Sequence, residues 1–257
     1  APYGQDELTI AGGLLREPIR LVKCESIDME VPADAELVLE GELIPGERTP
    51  EGPFGEVTGT YSQEGGTPLF RVRAMTHRRD PIFYAMQCGL PPSDTHSIIC
   101  TTIEMRLWDH LRNVAGGLDL KDVRCLAGMT PLMVVLRLRQ RFPGQARAAL
   151  LAALSSPYLH PKIAVAVDED IDAADPRQVL WAIAERVSAG SDIDRVNRTR
   201  VFALDNASPI EPGMSAMYRI GTKMLIDATA PEGGRRAYPF AGPPAGFDLA
   251  RYLETGP

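Results

Sequence analysis

Glu51-Gly52-Pro53-Phe54-Gly55-Glu56 follows the apolar run Glu36-Leu37-Val38-Leu39-Glu40-Gly41 and sets two carboxylates around a rigid turn. In a straight strand the side chains at 51 and 56 point to opposite faces, because their separation is odd. Their Cα atoms then lie up to roughly 17 Å apart. The turn has to bring them together. Pro53 fixes its own φ, while Gly52 and Gly55 permit backbone angles or close approaches that a side chain forbids, so the segment can aim both acids at one small volume. Paired acids are what proton-transfer chemistry asks for. The plain alternative is a solvated surface turn, yet a turn alone rarely needs a glutamate at each end.

Outward from this turn, residues 19–24, 37–43, 57–61, 69–75 and 82–86 read as short strands separated by Gly, Pro and Asp clusters. Their brief connections make them antiparallel, as in a small barrel or folded sheet. Residues 6–15 form a short helix weakened by Gly12-Gly13. A longer helix is expected over 95–114, where Ile98, Ile99, Ile103, Leu107 and Leu111 recur at helical spacing and Gly116-Gly117 ends it. The domain boundary is placed there, giving regions 1–115 and 116–257. Beyond it, strands over 132–138 and 163–167 alternate with helices over 145–154 and 176–187, the pattern of an α/β layer structure. Residues 188–245 are rich in Gly, Pro and short polar runs and are expected to wrap the surface. A terminal helix is expected over 247–253. The fold class is α+β.

With 257 residues, 44% hydrophobic and 24% charged, the chain has ample core for one large domain or two smaller ones, and two are preferred. This ordinary composition excludes wholesale disorder, and no apolar run approaches the roughly 18 residues of a spanning helix. Asp6, Glu7, Arg16 and Glu17 interrupt the N-terminal stretch, so no secretory signal is read there. A net charge of -7, with no cluster of five or more Lys and Arg, argues against nucleic acid as a partner. His77-Arg78-Arg79 reads as a hairpin turn. Cys24, Cys88, Cys100 and Cys125 form no C-x-x-C pair and fit free thiols in a reducing cytoplasm.

The acidic run Asp168-Glu169-Asp170-Ile171-Asp172 lacks the glycine and distal glutamate of a calcium loop. It is read as turn-forming, with Asp175 capping the next helix and Pro176 beginning it. On that helix Trp181 and Ile183 are expected in the core. The histidines at 77, 96, 110 and 160 form no spacing typical of zinc or of a nucleophile's base, and each is read as structural.

The longer text around the turn, Glu30-Val31-Pro32-Ala33-Asp34-Ala35-Glu36-Leu37-Val38-Leu39-Glu40-Gly41, then Pro50-Glu51-Gly52-Pro53-Phe54-Gly55-Glu56 and Gly59, closely resembles the signature of the UbiD family, decarboxylases that use prenylated flavin mononucleotide. Val22-Lys23-Cys24, Val167-Asp168-Glu169-Asp170-Ile171-Asp172 with Leu180-Trp181-Ala182-Ile183, and Gly221-Thr222-Lys223-Met224 with Asp227-Ala228-Thr229 agree in order and spacing. The resemblance implies part of a split β-barrel flavin-binding domain, ending in a linker helix, over 1–115. It implies an α/β C-terminal domain over 116–257, through which family members form homo-oligomers. It makes Glu51 and Glu56 the acids of a Glu-Arg-Glu network, with Glu56 the proton donor and Glu51 holding an arginine that grips the substrate carboxylate. That arginine precedes the metal-binding glutamate in the family, and none of the six residues before Glu7 is arginine, so the chain is similar to the later half of a family member.

Glu7 lies seventeen residues before Cys24, the family's interval for that glutamate, which helps hold a divalent cation, Mn2+ or similar, against the flavin phosphate. The family's other protein ligands, an asparagine and a histidine, lie further upstream. The same resemblance admits K+ as a further ion and implies a flavin prenyltransferase as supplier of the cofactor. It places Cys88, Thr95 and His96 in a loop-to-helix segment near the substrate pocket, and Val57 and Ile99 in its lining. Ordinary core positions are the plain alternative for these.

Together these readings point to reversible, non-oxidative decarboxylation of an aromatic or α,β-unsaturated carboxylic acid, in which the flavin provides the electron sink. The 257 residues alone are expected to be inactive. The alternative is a non-catalytic folding or assembly module of the same lineage. A flavin-independent hydrolase using Glu51 and Glu56 ranks last, since neither a nucleophile nor a complete metal site accompanies them.

Overall fold

The computed structural model describes residues 4–62, 65–114, 117–128, 130–213, 218–230, 241–248 and 251. Asp6 caps the first helix, α1 (Glu7–Leu15), its carboxylate accepting from the N–H groups of Leu8 and Thr9, both at 3.2 Å. Arg16 closes it in the left-handed conformation with φ 62°. Strands β1 (Leu21–Lys23) and β2 (Glu30–Pro32) pair antiparallel, and β3 (Leu37–Glu51) pairs antiparallel with β4 (Gly65–His77) in a long hairpin. The register slips between Glu40 and Gly41. Only glycine fits there, since a Cβ on Gly41 would come within 2.2 Å of the Arg71 carbonyl oxygen.

The remaining elements are α2 (Asp94–Val114), β5 (Asp119–Cys125), β6 (Met133–Arg139), α3 (Gln145–Leu154), β7 (Ile163–Val167), α4 (Pro176–Arg186), β8 (Ile193–Val201) and β9 (Arg219–Asp227). The five strands make one mixed sheet in the order β5-β6-β7-β9-β8, with β6, β7 and β9 parallel and the two edge strands antiparallel to their neighbours. The period-two alternation of a strand sorts this core. Val134, Leu136, Leu138, Ala164, Ala166 and Leu225 bury on one face, with Leu107 and Leu111 of α2 and Ala149, Leu150 and Ala153 of α3. Val135, Val165, Val167 and Ile226 bury on the other, with Val179 and Ala182 of α4. Helices on both faces of a largely parallel sheet give an α/β layer arrangement. Lys223, nearly fully buried on β9, donates from Nζ to the Leu154 carbonyl at the end of α3 at 2.8 Å, placing a cation at the helix C-terminus. Burial holds its pKa below the usual lysine value.

The chain divides into two compact units, Ala1–Gly55 with Tyr61–Gln87, and Glu56–Thr60 with Cys88–Pro257. The boundary expected at 115/116 therefore shifts. The apolar face of α2, Cys100, Ile103, Leu107 and Leu111, is part of the second unit's core, so the helix opens that unit instead of closing the first. Among the described residues the first unit buries one side chain below a tenth exposure, that of Glu40, and its four strands form two separate two-stranded sheets.

Other expectations are corrected as well. Residues 57–61 form a turn, and 82–86 carry no regular structure. The stretch 188–245, expected to wrap the surface, supplies β8 and β9. The terminal helix expected over 247–253 falls largely outside the described residues. No helix of the described residues is long and apolar enough to cross a membrane.

Candidate active site

Glu51 is the last residue of β3, opposite Gly65, and is exposed. Gly52 follows with φ 84° and a cis bond to Pro53. The chain then folds back on itself. Phe54 N–H donates to Ser62 Oγ at 3.0 Å and Ser62 N–H to the Phe54 carbonyl at 2.8 Å; Gly55 bridges Tyr61; Glu56 N–H donates to the Thr60 carbonyl at 2.9 Å. Gly59 N–H returns to the Glu56 carbonyl at 2.9 Å, with Gly59 in the left-handed region at φ 74°. A strand was expected over 57–61; the glycine and its reverse bond make a tight tip instead. Glu56 is half-buried at the start of that tip and Val57 beside it is buried. Glu51 belongs to the first unit and Glu56 to the second.

The second unit holds the tip from two sides. A Cβ on Gly59 would lie 3.2 Å from Pro91 Cδ, and the Asn206 side-chain amide donates to Thr60 Oγ1 at 2.9 Å. Asn206 stands on a loop anchored by buried Asp205. The Asp205 carboxylate accepts from Lys162 Nζ at 2.5 Å, Ser208 Oγ at 2.6 Å and Ala207 N–H at 3.2 Å. Burial opposes its charge, but the Lys162 and Ser208 bonds outweigh burial and hold the carboxyl below the usual aspartate value.

Of the pocket residues expected on the same segment, Thr95 and Ile99 are half-buried on the first turns of α2, and Ile99 packs against the core beneath that helix. Cys88 is exposed. His96 is fully buried, its Nδ1 2.6 Å from Ser93 Oγ. Glu7 is exposed in the first turn of α1, and its carboxylate has no partner among the described residues. A free hard oxygen donor fits one position around a divalent ion. Among the described residues no group of three or more His, Cys, Asp and Glu side chains is placed to hold a metal.

The acidic run forms a turn, as expected, and it also clamps an arginine. Arg186, with a side chain 5% exposed, donates to Asp170 Oδ2 at 2.6 Å and Oδ1 at 3.1 Å and to Asp168 Oδ2 at 3.4 Å, while its guanidinium lies 5.0 Å from the Trp181 ring centre. Asp175 caps α4 through Arg177 N–H at 2.9 Å with Pro176 in the first turn. Sequence reasoning gave no role to Glu40. This residue pins the 25–26 loop to β3, accepting from Glu25 N–H at 2.9 Å and from Ser26 N–H and Oγ at 2.6 Å each. A cleft of about 220 Å³ opens beside it, lined by Val22, Cys24, Val38, Glu40, Thr76 and His77 among others. Asn206 and the Asp205 cluster also went unread, because their importance lies in partners 146 and 43 positions away.

Residues 1–91 match the 3-octaprenyl-4-hydroxybenzoate carboxy-lyase Rift-related domain and residues 96–228 the C-terminal domain of the same enzymes. A phenolic acid decarboxylase of Bacillus subtilis (strain 168) is 33% identical over 231 residues, 89% of this chain and 47% of that protein. The UbiD-class enzyme HmfF from Pelotomaculum thermopropionicum, solved in complex with FMN, superposes with a TM-score of 0.77 at 35% identity, over 98% of this chain and 55% of its own. An evolved dimeric form of HmfF in complex with prFMN gives 0.73 at 32%, over 98% and 53%. The chain thus spans about half the length of the relatives it matches.

Proposed function

The chain belongs to the UbiD family, and from that premise we propose that it carries the proton-delivering glutamate and the C-terminal domain of a prenylated-FMN-dependent decarboxylase acting on an aromatic or α,β-unsaturated carboxylic acid. The observation that supports this most is Glu56, half-buried and held at the start of a pinned turn beside buried Val57. When bound, prenylated FMN supplies the electron sink for the pair left on the substrate carbon as the carboxylate departs. Glu56 then passes the proton on its carboxyl oxygen to that carbon, so that a carboxylate and a proton become a C–H bond and carbon dioxide. Solvent restores the proton to Glu56. Run backward, the Glu56 carboxylate takes the proton from the C–H bond as carbon dioxide adds.

Glu51 orients an arginine supplied by residues outside these 257, and the arginine grips the substrate carboxylate in a bidentate contact. Val57, Thr95, Ile99 and Cys88 line the substrate side. Glu7 contributes one oxygen to the divalent ion, Mn2+ or a similar hard cation. In the complete protein loaded with prenylated FMN, Glu56→Gln is expected to lower turnover by at least the roughly 10²–10⁴-fold that general acid catalysis contributes, with flavin absorbance retained. Unchanged turnover would overturn the assignment of Glu56. Failure of the unsubstituted complete protein to take up any flavin chromophore would favour a non-catalytic assembly role.

A further inference from the structure

Glu56 is held through its backbone, and the hold traces back to the second unit's sheet. Lys162 immediately precedes the central strand β7: its N–H donates to the Leu132 carbonyl at 2.9 Å, and its own carbonyl accepts from Met224 N–H at 2.8 Å. Its ammonium fixes Asp205, which is 1% exposed. The loop around Asp205 is fastened again by Arg219 at the start of β9, which donates from Nε to the Ala203 carbonyl and from Nη1 to the Ser208 carbonyl, both at 2.6 Å. Ser208 packs where any residue larger than glycine at 221 would collide, since a Cβ there would come within 2.2 Å of Ser208 Oγ. Phe202, at the start of that loop, packs against His160, with ring centres 4.2 Å apart and the planes tilted by 36°. A loop tied down at so many points moves little, and Asn206 projects from it.

We propose that Asn206 is a positioning residue for Glu56, acting through Thr60. The Asn206 amide fixes Thr60 Oγ1 at 2.9 Å; Thr60 Oγ1 also lies 2.8 Å from Thr58 Oγ1; and the Thr60 carbonyl receives the Glu56 N–H at 2.9 Å. Both hydroxyls of the turn and the backbone of Glu56 are thereby referred to one side chain on the sheet-anchored loop. Asn206 and Thr60 are both exposed, so water competes for their bond and its loss costs little stability. Its effect is on placement, and misplacement of a reacting group by about 1 Å can cost on the order of 10²-fold in rate.

The inference rests on the reading of Glu56 as proton donor, and the test separates the two. In the complete protein with prenylated FMN, Asn206→Ala and Thr60→Val are each expected to lower kcat about tenfold or more, with KM, flavin content and melting temperature nearly unchanged. Thr60→Ser, which keeps the hydroxyl, retains kcat. The double variant Asn206→Ala/Thr60→Val is no slower than Thr60→Val alone, because that substitution already removes the bond to Asn206. Amide hydrogen exchange over 56–60, which needs no turnover, rises in Asn206→Ala and in Thr60→Val alike. If Glu56→Gln stops turnover while Asn206→Ala keeps both kcat and the exchange pattern, the positioning role is overturned and the proton donor stands. If Glu56→Gln keeps turnover, the proton donor falls whatever Asn206 does.

Discussion

Glu40 shows how much one side chain can organise where a hydrophobic core is absent. It sits in β3 amid apolar neighbours, and its carboxylate takes three hydrogen bonds from Glu25 and Ser26. The Ser26 hydroxyl, then the Glu25 N–H, hold its pKa below the ordinary glutamate value of 4.5, against the opposing effect of burial. A carboxyl with a depressed folded-state pKa stabilises the fold above its unfolded value and loses that contribution as pH falls through the folded one. The Glu25 and Ser26 amides should therefore stay protected from exchange above about pH 4.5 and lose protection only below it. Glu40→Gln should remove that dependence, because an amide does not titrate. Proton-detected exchange of those two amides between neutral and acid pH would check this; protection that falls equally in both proteins would remove Glu40 as the cause. Nothing in the local sequence announced the role, since a glutamate inside an alternating strand reads as a solvent-facing residue.

At the scale of elements, legibility followed local pattern. Helix α3 and strand β7 have the bounds expected of them, because Gln145-Ala146-Arg147-Ala148-Ala149-Leu150 is strong helix former after Gly144 and Ile163-Ala164-Val165-Ala166-Val167 is an unbroken buried run. Strand β8 was hidden by its charges: Asp194, Arg195, Arg198 and Arg200 suit a sheet edge, where such residues discourage further pairing, and they look like loop in a sequence. Strand β9 was hidden by Gly221, Thr222 and Lys223, whose reasons are tertiary: room for Ser208 and a contact with the end of α3. The acidic run was legible as turn and cap, but its basic partner Arg186 was not, because that pairing spans a whole helix. Arg186→Ala should destabilise the second unit by about 2–3 kcal/mol, below the 3–5 kcal/mol of a fully buried pair because Asp170 is 39% exposed. Denaturant unfolding monitored at Trp181 would read it. Recovery of stability on adding Ca2+ or Mg2+ would mean that the run binds metal after all.

At the scale of the whole molecule, the two units differ in what stabilises them. The second packs a five-stranded sheet between helices, with Val134, Leu136, Leu138, Ala164, Val165 and Ala166 sealed from solvent. The first relies on hairpin hydrogen bonds, exposed ion pairs such as Arg73–Glu42 and Arg20–Asp34, and the Glu40 contacts, while Leu39, Leu43, Phe70, Met75, Phe83 and Tyr84 stay exposed. Exposed pairs contribute at most about 1 kcal/mol each, and a two-stranded hairpin is marginal in water. For the 257-residue chain, slow amide exchange should thus concentrate in β6, β7, β9, α2 and α3, with β3 and β4 exchanging orders of magnitude faster. A dye that reports apolar surface should bind until something covers those side chains. A polypeptide that covers these side chains should slow exchange in β3 and β4 and displace the dye, while leaving the second unit's core amides as they were. Equal protection of β3 and β7 in the 257-residue chain would show instead that the first unit is stable without any covering partner.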